Sequence, residues 1–413
     1  MRVLARAIKE VGKGLLKFEF PTRSPHCGTK PLRRHCHSQN RMHRLLTFIL
    51  LPLFALPSAV AASSVLVDLE SSQIILSDRP RTPENASSML PLMTVYTTLE
   101  LLKNGTIENK LFESVKNPWG GPDLTLADLL QGLLMTGDPE AVEAVRQTLK
   151  LSEKDFSHQL NQTANALGMF ATEFTFPCNE NTPCISTAQD MALLAESLYT
   201  HHAISRIWGA SHSLTLPDGK ILHTENFFLE KSPAITGVYV SPKRKHIASS
   251  AAVLSENPKG SDGRLRRLLV VSLNNNDRDS LRQEISSLLL RGYRDYETLK
   301  LYSDGDFVAN VPIYKGEETD VRAVVPQTVF ITMTTEQMLT AGAKALEVRV
   351  RYASPLIAPI KAGQYVGTLE IHAGLKLAQT IPLVAQSDVD EGNFWKRFRD
   401  TVRIALSQEI LHQ

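Results

Sequence analysis

The stretch Ser186-Thr187-Ala188-Gln189-Asp190-Met191-Ala192-Leu193-Leu194-Ala195 opens an amphipathic helix expected over Ala188 to Leu198. Its hydroxyl pair stands at the N-cap, where a side-chain oxygen takes one of the unbonded N–H groups. Asp190 sits in the first turn, where the helix dipole favours an anion. Upstream, Phe156 to Leu167 keeps the helical period and runs into Asn165-Ala166-Leu167-Gly168-Met169. In the Pro- and Asn-rich loop between them, Cys178 and Cys184 are separated by Asn179 to Pro183. A local disulfide is expected there. Two free thiols are the alternative, and a zinc site would need more ligands than this neighbourhood offers.

Further outward, Leu92, Met93, Tyr96, Leu99 and Leu102 mark an apolar helix ending at Asn104-Gly105. Leu124 to Leu134 and Ala141 to Leu149 are helical, broken at Thr136-Gly137-Asp138-Pro139. Val65 to Asp68 and Gln73 to Leu76 read as a hairpin around Glu70-Ser71-Ser72. Residues 234–241, 247–254 and 267–273 read as strands, followed by a closing helix over Asp279 to Leu290. Strands at both ends with helices between predict a sheet whose members are far apart in sequence.

After Tyr296 the composition changes. Short alternating runs such as Val329-Phe330-Ile331-Thr332-Met333, Leu346 to Tyr352 and Gly367 to Ile371 predict an all-β second domain. From Gly392 onward, Phe394, Trp395, Phe398, Val402, Ala405 and Leu406 share a helical face, with Lys396, Arg397, Arg399 and Arg403 flanking or opposing it. That composition fits a helix lying in a membrane interface; a terminal helix docked on its own domain is the alternative.

The whole chain has 413 residues, 43% of them apolar and 21% charged, which excludes a disordered or collagenous protein. Its formal charge of +2 is unevenly distributed: residues 1–61 hold 11 Lys and Arg against 2 acidic residues, so the remainder carries −7. A nucleic-acid role loses its simplest support. Met42-His43-Arg44, the apolar run from Leu45 to Leu56 and Pro57-Ser58-Ala59-Val60-Ala61 describe a secretory signal over 42–61, cleaved after Ala61 or Ala62. The run is shorter than the roughly 20 residues of a spanning helix, which weighs against an uncleaved anchor. Residues 1–41 read as a non-mature extension upstream of the true start at Met42, the alternative being a mitochondrial-type presequence.

The Ser186 to Ala195 stretch with Asn165 to Met169 resembles the serine D-alanyl-D-alanine carboxypeptidases, the low-molecular-mass penicillin-binding proteins. Asn85 to Tyr96 resembles their nucleophile helix. Ala358-Pro359-Ile360-Lys361-Ala362-Gly363-Gln364 with Val366-Gly367 is similar to their second domain, and Glu391-Gly392-Asn393-Phe394 to the entrance of their C-terminal anchor. The resemblance implies an α+β chain. A β-lactamase/transpeptidase-like domain, an antiparallel sheet with helices, would occupy 62–297, a small all-β domain 298–388 and an amphipathic anchor helix 389–413. It also implies a periplasmic enzyme at the outer face of the inner membrane, removing the terminal D-Ala of peptidoglycan pentapeptides through an acyl-serine, without cofactor or metal.

The family's chemistry uses S-x-x-K, whose amine takes the serine proton from one helix face, an S-x-N that lines the cleft, and a K-T-G edge strand. Here the positions depart from that pattern. Ser88 falls at the nucleophile with Pro91 in place of Lys, and a register on Ser87 puts Leu90 there; no S-x-x-K occurs in the chain. S-x-N becomes Thr136-Gly137-Asp138, whose carboxylate would repel an anionic peptide end. K-T-G becomes Tyr239-Val240-Ser241. A general base contributes about 10² to 10⁴ in rate, and breaking a coupled nucleophile–base unit costs on the order of 10⁶.

A pseudoenzyme is therefore expected, binding stem peptides or cell-wall enzymes. An active carboxypeptidase using Ser87 or Ser88 with a distant cation is the rival. In a third reading the β domain and tail present the first domain to a wall-assembly complex. Lys243, Arg244 and Lys245 are candidates to return a cation to the cleft but read more simply as a solvated turn. His201, His202, His212 and His223 read as surface histidines rather than a metal site.

Overall fold

The structure is a computed structural model and describes residues 62–103, 110–178, 182–230, 234–243, 248–257, 265–340, 346–352, 354–373 and 376–410. The expected leader, Asn104-Gly105, Asn179, Arg244 and Lys245 lie outside these residues. In chain order the first domain comprises β1 (Ser63–Asp68), β2 (Gln73–Asp78), β3 (Glu84–Asn85), α1 (Leu90–Lys103), β4 (Ser114–Val115), β5 (Leu124–Thr125), α2 (Leu126–Thr136), α3 (Pro139–Thr148), α4 (Glu153–Ala166), β6 (Ile185–Ser186), α5 (Ala188–His201), α6 (Ala203–Gly209), β7 (Ser213–Thr215), β8 (Ile221–His223), β9 (Ile235–Val240), β10 (Ser249–Asn257), β11 (Arg266–Asn275) and α7 (Arg278–Asp295). The second comprises β12 (Tyr296–Tyr302), β13 (Phe307–Pro312), β14 (Asp320–Val324), β15 (Val329–Thr334), α8 (Thr335–Thr340), β16 (Leu346–Tyr352), β17 (Tyr365–Ala373), β18 (Lys376–Ala385) and the terminal α9 (Phe394–Ile410).

The first sheet runs β2-β1-β11-β10-β9, every pair antiparallel, so β1 is closed against β11 some two hundred residues later. Strand alternation divides each strand between two cores. Val65 and Val67 of β1, with Leu269 and Val271 of β11, face the helical layer of α1 to α5, while Leu66, Leu268 and Val270 face Leu281 and Ile285 of α7. Gly292 lets α7 approach the sheet: a Cβ there would lie 2.6 Å from Leu66 Cδ2. Helix starts are fixed by side-chain caps from Thr125, Asp138, Ser152, Thr187 and Asp277.

The second domain pairs β13-β14-β18-β17-β16 in one sheet and β12 with β15 in a ribbon, around an apolar core of its own. β12 begins directly after α7. The two domains meet at a buried ion pair: Arg266 Nε donates to Asp68 Oδ2 at 2.8 Å, and Thr298 of β12 donates to the same oxygen at 2.6 Å. Ser71 and Thr332 share a further hydroxyl bond at 2.7 Å.

α9 combines both readings of the tail. Buried Asp400 accepts from the Lys315 N–H, and Lys396 Nζ donates to the Glu317 and Glu318 carbonyls, which docks one side of the helix. The other side leaves Phe394 66%, Trp395 75% and Phe398 58% exposed, with Val402. The side chains of Ala405 and Leu406 lie outside those described. Among the described residues no helix is long and apolar enough to cross a membrane.

Candidate functional site

The positions singled out from sequence converge on one crevice between the start of α1, the α2–α3 turn and edge strand β9. Ser87 to Met89 form a 3₁₀ turn ahead of α1, and Ser87 N–H donates to Asn85 Oδ1 at 3.0 Å. Pro91 follows in the first turn of α1, where its missing N–H costs no intrahelical bond. Ser88 Oγ donates to Ser250 Oγ of β10 at 3.0 Å, and Ser250 Oγ also accepts from the Asn274 N–H at 3.1 Å. Neither partner is a base, and none of the residues lining the crevice carries an amine or imidazole. Proton removal needs such a group at about 2.6 to 3.2 Å, directly or through one water.

The other positions are engaged in holding the fold. Thr136 donates to the Gly132 carbonyl at 2.8 Å, closing its own helix. Asp138 caps α3, its Oδ1 accepting from the Glu140 N–H at 3.0 Å, while its Oδ2 accepts from Trp119 Nε1 at 3.1 Å. The carboxylate expected to repel an anionic ligand is thus tied to a helix start and an indole. Tyr239 is fully buried and its hydroxyl donates to the Ser88 carbonyl at 2.6 Å. Ser241 Oγ accepts from the Ser250 N–H at 2.9 Å, which extends the β9–β10 ladder by a side chain. Between them Gly137, at φ +60°, allows close approach: a Cβ would fall 2.5 Å from Pro242 Cδ and 3.0 Å from Tyr239 Oη. The remaining crevice measures about 80 Å³.

Cys178 and Cys184 are bonded to each other with Cα atoms 5.5 Å apart. The Cys184 N–H donates to Ser87 Oγ at 3.2 Å, so the loop is tied to the residue beside Ser88. Lys243 is exposed just beyond β9. The expectation of four surface histidines fails at His202. Its ring is 10% exposed, lies edge-on to Tyr96 and shares a 2.7 Å hydrogen bond with Glu100. Burial lowers its pKa and outweighs that bond. His201, His212 and His223 are exposed, and the described residues contain no group of three His, Cys, Asp or Glu able to hold a metal.

Sequence reasoning missed Ser250 and Trp119. Ser249-Ser250 amid the apolar β10 was a readable signal, since a hydroxyl in a buried strand needs a partner. Trp119 carried none, because its contact with Asp138 depends on the packing of its ring against Gly132.

Residues 54–215 match the family described as D-alanyl-D-alanine carboxypeptidase, and residues 296–391 match the C-terminal domain of penicillin-binding protein 5. The chain is 23% identical over 355 residues to the D-alanyl-D-alanine carboxypeptidase DacF of Bacillus subtilis, covering 81% of this chain and 87% of that one. It is 25% identical to DacC of Escherichia coli, covering 85% and 90%. In fold it is similar to penicillin binding protein 5 of Haemophilus influenzae, with a TM-score of 0.67 at 20% identity, over 80% of this chain and 97% of the other. A Streptococcus pneumoniae protein described as a peptidoglycan synthesis regulatory factor (PBP3) gives 0.60 at 18%, over 79% and 98%. With both domains matched in order and nearly the full length of each relative covered, the chain belongs to the D-alanyl-D-alanine carboxypeptidase family of low-molecular-mass penicillin-binding proteins.

Proposed function

We propose that this chain is a non-catalytic family member that binds peptidoglycan stem peptides in the periplasm. Its α9 rests on the outer face of the inner membrane through Phe394, Trp395, Phe398 and Val402. The observation that carries the loss of catalysis is the engagement of the Ser88 hydroxyl by Ser250, with Pro91 and Tyr239 filling positions where the family has its two lysines. Without a base at the nucleophile, the remaining rate falls by about six orders of magnitude. Incubation with a fluorescent penicillin is expected to leave the purified protein unlabelled, and a pentapeptide is expected to release no D-Ala across the pH range. A labelled band abolished by Ser88→Ala would overturn the proposal.

The anchoring is tested separately. An exposed aromatic stripe beside exposed Arg399 and Arg403 fits an anionic membrane surface. Deletion of residues 392–413 should move the protein from the membrane to the soluble fraction, and unchanged fractionation would remove the anchor.

A further inference from the structure

A second cavity adjoins the crevice and is far larger, about 490 Å³. The two share Leu90, Pro139 and Cys178 as walls, so one opens beside the other. The larger groove has the volume of an ordinary ligand site, which runs from roughly 300 to 1,000 Å³. Phe176 and Pro177 give it apolar surface from the loop that the disulfide closes. Its charges come from three different segments. Lys116 follows β4, Glu140 lies in the first turn of α3 and Glu153 opens α4. Glu143 also lines the groove but is held by Arg146 at 2.5 Å, whereas Lys116, Glu140 and Glu153 make no ion pair among the described residues.

We propose that the ligand site of this protein is this groove, and that its occupant is a short zwitterionic peptide whose carboxylate faces Lys116 and whose amine faces Glu140 and Glu153. The proposal rests on the wall-peptide reading above and locates it. Complementarity runs in both senses: the groove offers one cation and two carboxylates that no protein group neutralises, while the crevice offers only hydroxyls and prolines already in contact. Continuity with the crevice places such a peptide against Ser88 without requiring it to enter the 80 Å³ space.

The test uses the purified protein with a synthetic stem pentapeptide bearing a free side-chain amine and a free terminal carboxylate. Two capped forms accompany it, one acetylated at its amines and one ending in a carboxamide. Lys116→Glu and Glu153→Lys alter exposed side chains and leave the core intact. Each is expected to weaken the uncapped peptide about five- to ten-fold, the scale of reversing an exposed charge contact. The carboxamide should be indifferent to Lys116→Glu and the acetylated peptide indifferent to Glu153→Lys, a pattern that a merely structural role would not produce. Unchanged affinity of the uncapped peptide in both variants would overturn the groove and leave wall-peptide binding standing. No binding of any peptide to the unaltered protein would remove both.

Discussion

The crevice at Ser88 and the groove beside it share three wall residues, yet they treat polar groups in opposite ways. In the crevice Ser88, Thr136, Asp138, Tyr239 and Ser241 each have a partner that serves the fold: another hydroxyl, a helix carbonyl, a helix N-terminus, a backbone carbonyl or a strand N–H. In the groove, Lys116, Glu140 and Glu153 face solvent with no ion pair among the described residues. A reacting group must be free to exchange partners, so a site whose hydrogen bonds are all committed to packing favours rigidity over turnover. The family fold survives in both regions; what differs is which side chains it leaves available.

The strongest way to break this contrast is Tyr239→Ala. Its ring is fully buried at the position where Gly137 and Pro242 close in. Truncation removes core contacts and the bond to the Ser88 carbonyl, and a cost of about 3 to 5 kcal/mol is expected for an aromatic of this size. Urea denaturation measures it. A cost below about 1 kcal/mol would mean that the crevice collapses freely, so that Tyr239 is a movable plug rather than part of the core.

Much of this was legible before any coordinates. The cap at Thr187, the helix break at Gly137 and the sheet closed by distant strands follow from periodicity and turn chemistry. The replacement of Lys by Pro at residue 91 needed only the register of Met93, Thr94 and Tyr96. Three things were hidden. α6 and the β7–β8 hairpin were missed because they are three to seven residues long, too short for a periodic signal. The burial of His202 depends on Glu100 arriving from another helix. The groove draws on loops and helix starts whose charges, read along the chain, look like ordinary solvated residues.

Asp138 sharpens the comparison on a smaller scale. If its carboxylate works as a cap, Asp138→Ala should cost about 1 kcal/mol in denaturation. Asp138→Asn should retain most of that, because an amide oxygen caps nearly as well as a carboxylate. Equal losses in the two variants would point instead to a role for the negative charge, and would return Asp138 to the groups that act on a ligand.

The smallest effect concerns Glu143, the carboxylate of the groove that is already engaged. The hydrogen bond from Arg146 holds its pKa below the ordinary glutamate value, so the folded state binds its proton less readily than the unfolded chain does. The stabilisation is therefore complete above the ordinary value of about 4.3 and is lost as pH falls through the lower, folded-state value. Because the Glu143 side chain is 36% exposed, solvent screens the pair and limits it to a few tenths of a kcal/mol. Comparing the denaturant midpoints of the protein and Glu143→Gln at pH 7 and pH 3 reads this directly: the difference at pH 7 should shrink at pH 3. If the two proteins show the same pH dependence, Arg146 does not hold Glu143. The groove then carries a third available carboxylate, and the amine of its occupant would have another partner on α3.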